Sequence, residues 1–223
     1  MLIGFIGAGN IGSQLARLAI KNGHNVVLSN SRAPETLSAL VDELGPMAGA
    51  AWPAEVAAAA DVAVVAIPFN RYDEVPVDGL RGKVVIDTGN YYPERRDGFI
   101  PELDQELTTT AEILQHRLAD SFVVKAFNHI GAGELASDGR PSGSSGRRAL
   151  AIAGDHEESK RTVADLIDSF EFDTVDVGRL SEGWRYQRDT LAYHGYQTVQ
   201  ELGVSLAGAK RYRDISEPQR TAP

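Results

Sequence analysis

The sequence predicts an α/β fold, a doubly wound and mostly parallel sheet with a small helical extension at its C-terminal end. Short apolar runs alternate with segments of helical periodicity along most of the chain, the pattern of a parallel sheet with helices on both faces. Several runs, such as VAVVAI at Val62–Ile67, are apolar at every position, which favours strands buried on both faces. The chain also opens on a strand, a glycine-rich turn and a helix in direct succession.

Eight strands and six helices follow from these patterns. The predicted strands are Ile3–Ile6, Asn25–Ser29, Ala48–Ala51, Val62–Ile67, Lys83–Asp87, Phe122–Phe127, Leu150–Ala153 and Thr174–Val177. The predicted helices are Ile11–Asn22, Pro34–Leu44, Pro53–Ala59, Thr109–Leu118, His156–Phe170 and Thr190–Tyr212. The segment Ser137–Arg148, rich in Gly, Ser and Arg, reads either as a mobile lid or as a plain connection, and Ser216–Pro223 reads as a frayed tail.

Composition limits the function classes. The 223 residues suit one α/β domain with a small addition. The absence of cysteine excludes disulfides, thiolate zinc sites and thiol nucleophiles. A net charge of −9 argues against a nucleic-acid surface. No metal-ligating motif or nucleophile triad stands out, and no apolar run has the length of a membrane span, so we expect a cytoplasmic protein without a metal site.

The N-terminal motif predicts a dinucleotide site. Its residues are Gly7, Ala8, Gly9, Asn10, Ile11 and Gly12, directly after the strand LIGFI. In the G-x-G-x-x-G pattern the first glycine allows a tight turn, the second lets the backbone approach a pyrophosphate, and the third lets the helix pack closely on the strand. The phosphates would lie at the helix N-terminus, where free N–H groups and the helix dipole favour anions. We therefore expect a Rossmann-type NADP-binding domain over residues 1–180 and a helical extension and tail over residues 181–223.

The end of the second strand favours NADP over NAD. An NAD site places a carboxylate there to bind the ribose hydroxyls. This strand ends instead in Ser29, Asn30, Ser31 and Arg32, and the first acidic residue downstream is Glu35. Two hydroxyls, an amide and a guanidinium can bind a 2′-phosphate by charge-assisted hydrogen bonds.

The ends of three further strands supply the rest of the predicted site, because ligands of such sheets lie outside the carboxyl ends of the strands. The predicted contacts to the cofactor's ribose and nicotinamide are Ile67, Pro68, Phe69, Asn90 and Asn128.

Two candidate catalytic residues stand at the end of the sixth strand, His129 and its neighbour Asn128. His129 is a candidate proton donor because histidine changes charge near neutral pH, although a single histidine at a strand end can equally position the cofactor or be structural. Asp87 is interpreted as a buried capping carboxylate. The cluster of Tyr193, His194 and Tyr196 is interpreted as packing.

Seven segments resemble the bacterial members of the NADP oxidoreductase, coenzyme F420-dependent, family. They are IGFIGAGNIG, LSNSR at Leu28–Arg32, DVAVVAIP at Asp61–Pro68, KVVIDTGNYYP at Lys83–Pro93, VVKAFNHIGA at Val123–Ala132, ALAIAGD at Ala149–Asp155 and EGWRYQ at Glu182–Gln187. The resemblance implies hydride exchange between NADPH and a deazaflavin, coenzyme F420, in a homodimer. It also implies that the loop Gly131–Arg148, longer than in the archaeal enzymes, borders the deazaflavin.

Three functions stay open on the sequence. The first is hydride transfer between NADP(H) and coenzyme F420 or a similar redox acceptor. The second is NADPH-dependent reduction of a small carbonyl, an imine or a flavin, although only about 40 residues follow the last predicted strand, too few for the helical domain common in such reductases. The third is a non-catalytic NADPH-binding sensor. Fold alone does not separate them.

Overall fold

The computed structural model describes residues 1–212 and contains one eight-stranded sheet with helices on both faces. The strands are β1 (Leu2–Ile6), β2 (Asn25–Ser29), β3 (Ala48–Ala50), β4 (Val62–Val65), β5 (Val84–Asp87), β6 (Phe122–Lys125), β7 (Ala149–Gly154) and β8 (Asp173–Asp176). The helices are α1 (Asn10–Lys21), α2 (Ser38–Leu44), α3 (Pro53–Ala59), α4 (Pro101–Asp104), α5 (Thr110–Arg117), α6 (Ala132–Ser137), α7 (Glu157–Ser169) and α8 (Val199–Ala207). The predicted tail Ser216–Pro223 lies outside the described residues.

The strand order, β3-β2-β1-β4-β5-β6-β7-β8, confirms the doubly wound, mostly parallel sheet. Neighbouring strands pair in parallel everywhere except between β6 and β7. The order reverses between β1 and β4, which are direct neighbours. This reversal opens a crevice outside the carboxyl ends of the strands, where doubly wound sheets bind their ligands.

The core lies on both faces of the sheet. One face packs against α1 and α7 through residues such as Phe5, Leu15 and Val163, and the other packs against α3 and α5 through residues such as Val56 and Leu114. Burial on both sides explains why the strand sequences are apolar without alternation.

The predicted helix Thr190–Tyr212 is corrected at both ends. The helix begins only at Val199 and ends at Ala207, with Thr198 as its N-cap residue. The Thr198 hydroxyl accepts a hydrogen bond from the amide of Glu201, and the Glu201 carboxylate accepts one from the amide of Thr198. This capping box starts the helix nine residues later than the apolar spacing indicated.

The predicted mobile segment Ser137–Arg148 is anchored by buried arginines. Arg147 forms ion pairs with Asp168 and Asp173, each at 2.7 Å, and Arg148 forms one with Asp138 at 2.6 Å. Both guanidinium groups are almost fully buried. The C-terminal end of the segment is therefore fixed against α6 and α7.

Candidate active site

The three glycines of the first turn have different surroundings. Gly7 has a φ of +109°, and a Cβ there would lie 2.4 Å from the carbonyl oxygen of Ala66. A Cβ on Gly12 would lie 2.1 Å from the carbonyl oxygen of Gly7, so the helix can approach the strand only without a side chain there. A Cβ on Gly9 would meet nothing within 4 Å. The fold therefore requires glycine at positions 7 and 12, whereas Gly9 leaves open space that a pyrophosphate can use.

The start of α1 is a site for an anion. Gly9 is the N-cap residue and provides no side-chain cap, and the first turn carries no acidic residue. The first N–H groups of a helix lack intrahelical partners and lie at the positive end of the helix dipole. Asn10 is exposed, whereas Ala8 and Ile11 are partly buried against the core. The backbone of this turn fits a pyrophosphate.

Two of the four residues predicted around the 2′-phosphate organise the turn after β2 instead. The Ser29 side chain is fully buried, and its hydroxyl donates a hydrogen bond to the carbonyl oxygen of Phe5 at 3.0 Å. This corrects the prediction of Ser29 as a phosphate ligand. The Asn30 Oδ1 accepts a hydrogen bond from the amide of Arg32 at 2.8 Å, and its Nδ2 donates to the hydroxyl of Thr36 at 2.9 Å.

Ser31 and Arg32 remain free to meet a ligand. Both are exposed, and among residues 1–212 Arg32 forms no ion pair. Glu35 lies in the 3₁₀ helix Pro34–Leu37 rather than at the end of β2. An unpaired guanidinium beside a hydroxyl, with no carboxylate at the strand end, fits a 2′-phosphate.

The end of β4 offers fewer side chains to a cofactor than predicted. Ile67 and Pro68 are partly buried beside the glycine turn, where the Ile67 side chain would lie 2.8 Å from a Cβ on Gly7. Phe69 is buried, and its ring packs edge-on against Tyr72 at 5.1 Å and Tyr91 at 5.8 Å. The Phe69 ring therefore belongs to the core, and any contact between Phe69 and the cofactor would be made by its backbone.

Asn90 and Asn128 meet at the carboxyl edge. The Asn90 Nδ2 donates to the Asn128 carbonyl oxygen at 2.7 Å, and the Asn128 Nδ2 donates to the Asn90 Oδ1 at 3.2 Å and to the Tyr186 carbonyl oxygen at 2.9 Å. The Asn128 Oδ1 is buried and has no hydrogen-bond partner within residues 1–212. The pair thus joins the ends of β5 and β6.

His129 is placed differently from the prediction. It is buried, its Nε2 accepts a hydrogen bond from the amide of Ala151 at 3.1 Å, and its ring packs edge-on against Tyr186. Burial, with smaller contributions from Arg148 and other cations, lowers the pKa of His129 to about 3. A buried, neutral imidazole that accepts a hydrogen bond from the backbone does not fit a proton donor, and we assign it a structural role.

An ion pair that the sequence reading missed lies beneath the carboxyl edge. The Lys125 Nζ lies 2.9 Å from the Asp87 Oδ2 and also donates to the Gly89 carbonyl oxygen and to the Thr110 hydroxyl. Asp87 also accepts hydrogen bonds from the Tyr72 hydroxyl and the Gly89 amide. Burial, followed by the Asp87 charge, raises the pKa of Tyr72. Asp87 is therefore more than the capping carboxylate that was expected.

A cavity of about 1070 Å³ opens beside this ion pair. Segments within 90–94, 99–111, 183–194 and 208–212 form its walls, and Asn90, Lys125 and His194 are among the lining residues. The guanidinium groups of Arg185 and Arg211 lie 4.6 and 4.5 Å from the centre of the Trp184 ring. The size and the aromatic lining suit a small ring-containing ligand. The loop Gly131–Arg148, expected to border the second substrate, does not line the cavity.

Comparison with known proteins identifies the family. Residues 2–91 match the family described as NADP oxidoreductase coenzyme F420-dependent. The chain belongs to this family. A structure of the hypothetical protein SMa0349 from Sinorhizobium meliloti is 30% identical, with a TM-score of 0.72, and the alignment covers 87% of this chain and 94% of that one. The resemblance read from the sequence is thereby confirmed, and the chain is a member of a family of NADP-dependent oxidoreductases.

Two other relatives extend the comparison. A structure from Arthrobacter sp. FB24, provisionally described as an F420-dependent NADP reductase, is 24% identical with a TM-score of 0.67, covers 79% of this chain and 84% of that one, and shows the shared fold. Metalloreductase STEAP3 of Rattus norvegicus is 29% identical over 181 residues, or 80% of this chain. The chain spans 34% of the metalloreductase and 39% of a second curated relative, so it covers only a minor part of these proteins.

The described part of the chain offers neither a cluster of metal ligands nor a membrane-spanning helix. Among residues 1–212 no three His, Asp or Glu side chains are grouped so as to hold a metal ion. No helix in the same range has both the length and the apolar character needed to cross a bilayer.

Proposed function

We propose that this chain is an NADPH-dependent oxidoreductase that transfers hydride between NADP(H) and an acceptor held in the cavity. The observation that carries the proposal is a juxtaposition at one edge of the sheet. The open space at Gly9 and the free arginine at position 32 lie at the ends of β1 and β2, and the cavity lies at the ends of β5 and β6. A dinucleotide that spans this edge would bring its nicotinamide to the cavity.

Named residues would hold the cofactor. The N–H groups at the start of α1 would bind the pyrophosphate, and Ser31 and Arg32 would bind the 2′-phosphate. Asn90, which lines the cavity and is hydrogen-bonded to Asn128, would face the carboxamide of the nicotinamide. When bound, the cofactor supplies the hydride. Residues 1–180 would form the cofactor domain, and the extension from residue 181 supplies much of the cavity wall.

The chain's own contribution to hydride transfer is positioning. The reaction needs the donor and acceptor carbons about 3–3.5 Å apart in a site that excludes water. The paired Asn90 and Asn128 fix the ends of β5 and β6, and Lys125 anchors the Gly89 carbonyl beneath them. Hydride chemistry of this kind requires no side-chain nucleophile and no metal ligand.

The first candidate acceptor is the deazaflavin coenzyme F420. The family to which the chain belongs, and the description of the Arthrobacter structure as an F420-dependent NADP reductase, support it. A flavin that accepts the hydride and passes its two electrons singly to two ferric ions is the second candidate, because the metalloreductase relative is similar over most of this chain. A flavin, a carbonyl or an imine would also be accommodated by the size of the cavity. We further propose that the protein acts as a cytoplasmic homodimer.

An acceptor panel tests the proposal. NADPH oxidation is followed with coenzyme F420, FMN, FAD, a ferric chelate, a cyclic imine and a small ketone as separate acceptors. Turnover with any of them supports the oxidoreductase, and the ratio of kcat/KM values identifies the acceptor class. NADPH binding without turnover on the whole panel would favour the sensor, and the absence of NADPH binding would refute the proposal. The variant Arg32→Ala should bind NADPH more weakly than the wild type, and Arg161→Ala, which removes an exposed arginine on α7, is its charge-matched control.

A further inference from the structure

We propose that His194 donates the proton that accompanies hydride transfer in this cavity. The inference rests on the proposed function and names a residue of the same site. His194 lines the cavity together with Asn90 and Lys125, and its side chain is 45% exposed. In the described part of the chain it is the only histidine that lines the cavity.

The backbone holds His194 at the carboxyl edge. Its amide donates a hydrogen bond to the carbonyl oxygen of His129 at 3.0 Å. His129 lies four residues after the end of β6. Its φ is +60°, a left-handed conformation that a non-glycine residue adopts only when its surroundings enforce it. The Cε1 atom of the ring lies 3.7 Å from the position of a Cβ on Gly131, so the imidazole rests on the turn between β6 and α6.

Charged and titratable groups from three elements face this ring. The Glu134 carboxylate of α6 lies 3.9 Å from the His194 Nδ1 and 3.0 Å from the Nη2 of Arg148, next to β7. The Tyr193 ring meets the imidazole edge-on at 4.2 Å. His129 lies behind the same turn and is buried and neutral. The Glu134 carboxylate therefore places a negative charge within 4 Å of the His194 imidazole.

The reaction needs such a donor. Reduction of a C=N or C=O bond, or of a deazaflavin ring, adds hydride to one atom and a proton to another. NADPH gives the hydride with its two electrons and becomes NADP⁺. The protonated imidazole of His194 gives the proton to the acceptor's nitrogen or oxygen and becomes neutral. Because the ring is half-exposed, it regains a proton from water before the next turnover.

His194→Asn is the decisive variant. Asparagine tolerates left-handed backbone, so the loop is retained while the titrating group is lost. With the best acceptor of the panel, we expect kcat to fall about 100-fold or more, the range typical of a lost general acid. The alkaline limb of the kcat–pH profile should disappear, and the Kd for NADPH should stay within about twofold, because no cofactor phosphate is assigned to this residue. His116→Gln, which changes an exposed histidine on α5, is the control and should match the wild type.

Two further readouts separate catalysis from packing. Glu134→Gln removes the charge beside the ring and keeps an oxygen acceptor for the Gly131 amide, so the alkaline limb of the kcat–pH profile should move, while urea unfolding measures the separate cost of the lost ion pair with Arg148. NMR of the ¹⁵N-labelled imidazole, in protein without acceptor, should show His194 losing its proton over the same pH range as that limb.

The inference is overturned if His194→Asn leaves kcat and its pH profile unchanged, if it weakens NADPH binding in parallel with kcat, or if NMR shows a neutral ring throughout the pH range of turnover. These outcomes leave the proposed function intact, because the wild type still turns over. If the wild type fails to oxidise NADPH with every acceptor of the panel, both the inference and the proposed function are refuted.

Discussion

Replacing Gly9 by alanine separates cofactor binding from folding. The added Cβ meets no protein atom within 4 Å, and the backbone of Gly9, with φ −78° and ψ −166°, is accessible to alanine. Alanine is a poorer N-cap residue than glycine, by up to about 1 kcal/mol. It also restricts the unfolded chain, which stabilises the fold by about 0.4–1 kcal/mol. These contributions nearly cancel, so the free energy of unfolding should change by less than about 1 kcal/mol.

Binding should respond much more strongly. The same Cβ occupies the space assigned to the pyrophosphate, and its displacement forfeits at least one hydrogen bond from an N–H group to a charged oxygen. Such a bond contributes about 1.5–3 kcal/mol. The Kd for NADPH should therefore rise roughly ten- to a hundredfold.

The assay combines urea unfolding with a titration of NADPH fluorescence. Gly12→Ala is the matched comparison, because its Cβ would lie 2.1 Å from the Gly7 carbonyl oxygen. That overlap should cost about 1–3 kcal/mol of stability. If Gly9→Ala binds NADPH as tightly as the wild type, the phosphates do not lie at this turn and the reasoning is refuted.

Three other outcomes are expected. Arg32→Ala should raise the Kd for NADPH roughly tenfold or more and leave the Kd for NADH nearly unchanged in parallel titrations, because only NADPH carries the 2′-phosphate. Equal increases in the two Kd values would exclude a contact between Arg32 and that phosphate. Lys125→Met should cost about 3–5 kcal/mol in urea unfolding by leaving the Asp87 carboxylate buried and unpaired, and adding Asp87→Asn should restore part of the loss. His129 binds a proton near pH 6.5 when unfolded but only near pH 3 when folded, so stability should fall as the pH drops from about 6.5 towards 3. His129→Gln should flatten that fall in acid unfolding curves, and an unaltered curve would contradict its neutral, buried placement.

Local patterns were sufficient for most of the fold. The bounds of β2 and α3 agree with the prediction at both ends, and the glycine turn follows β1 as expected, because these elements depend on short-range spacing. The rule that ligands gather at strand ends correctly brought Asn90 and Asn128 together.

Side-chain direction was harder to predict. Ser29 and Phe69 lie at the expected edge of the sheet, but their side chains point into the protein. The groups that they contact there, the Phe5 carbonyl oxygen and the Tyr72 ring, are brought close to them only when the chain folds. His129 is buried for the same reason. Nothing in the local sequence distinguishes these residues from the exposed Ser31 and Arg32.

The sequence did contain a signal for the ion pair of Asp87 and Lys125, which was not predicted. Asp87 and Lys125 end two apolar strands, VVID and FVVK, and the parallel register of β5 and β6 places them directly opposite each other. Opposite charges at the ends of neighbouring buried strands predict a buried ion pair. The position of His194 carried no comparable signal, because it depends on a left-handed loop residue that meets β6 from more than sixty positions away.

The most direct measurement is a crystal structure of the protein with bound NADPH. We expect the pyrophosphate on the N–H groups at the start of α1, the 2′-phosphate of the adenosine ribose beside Ser31 and Arg32, and the nicotinamide facing the cavity near Asn128. A dinucleotide bound elsewhere, or one whose 2′-phosphate points away from Arg32, would contradict this placement of the cofactor.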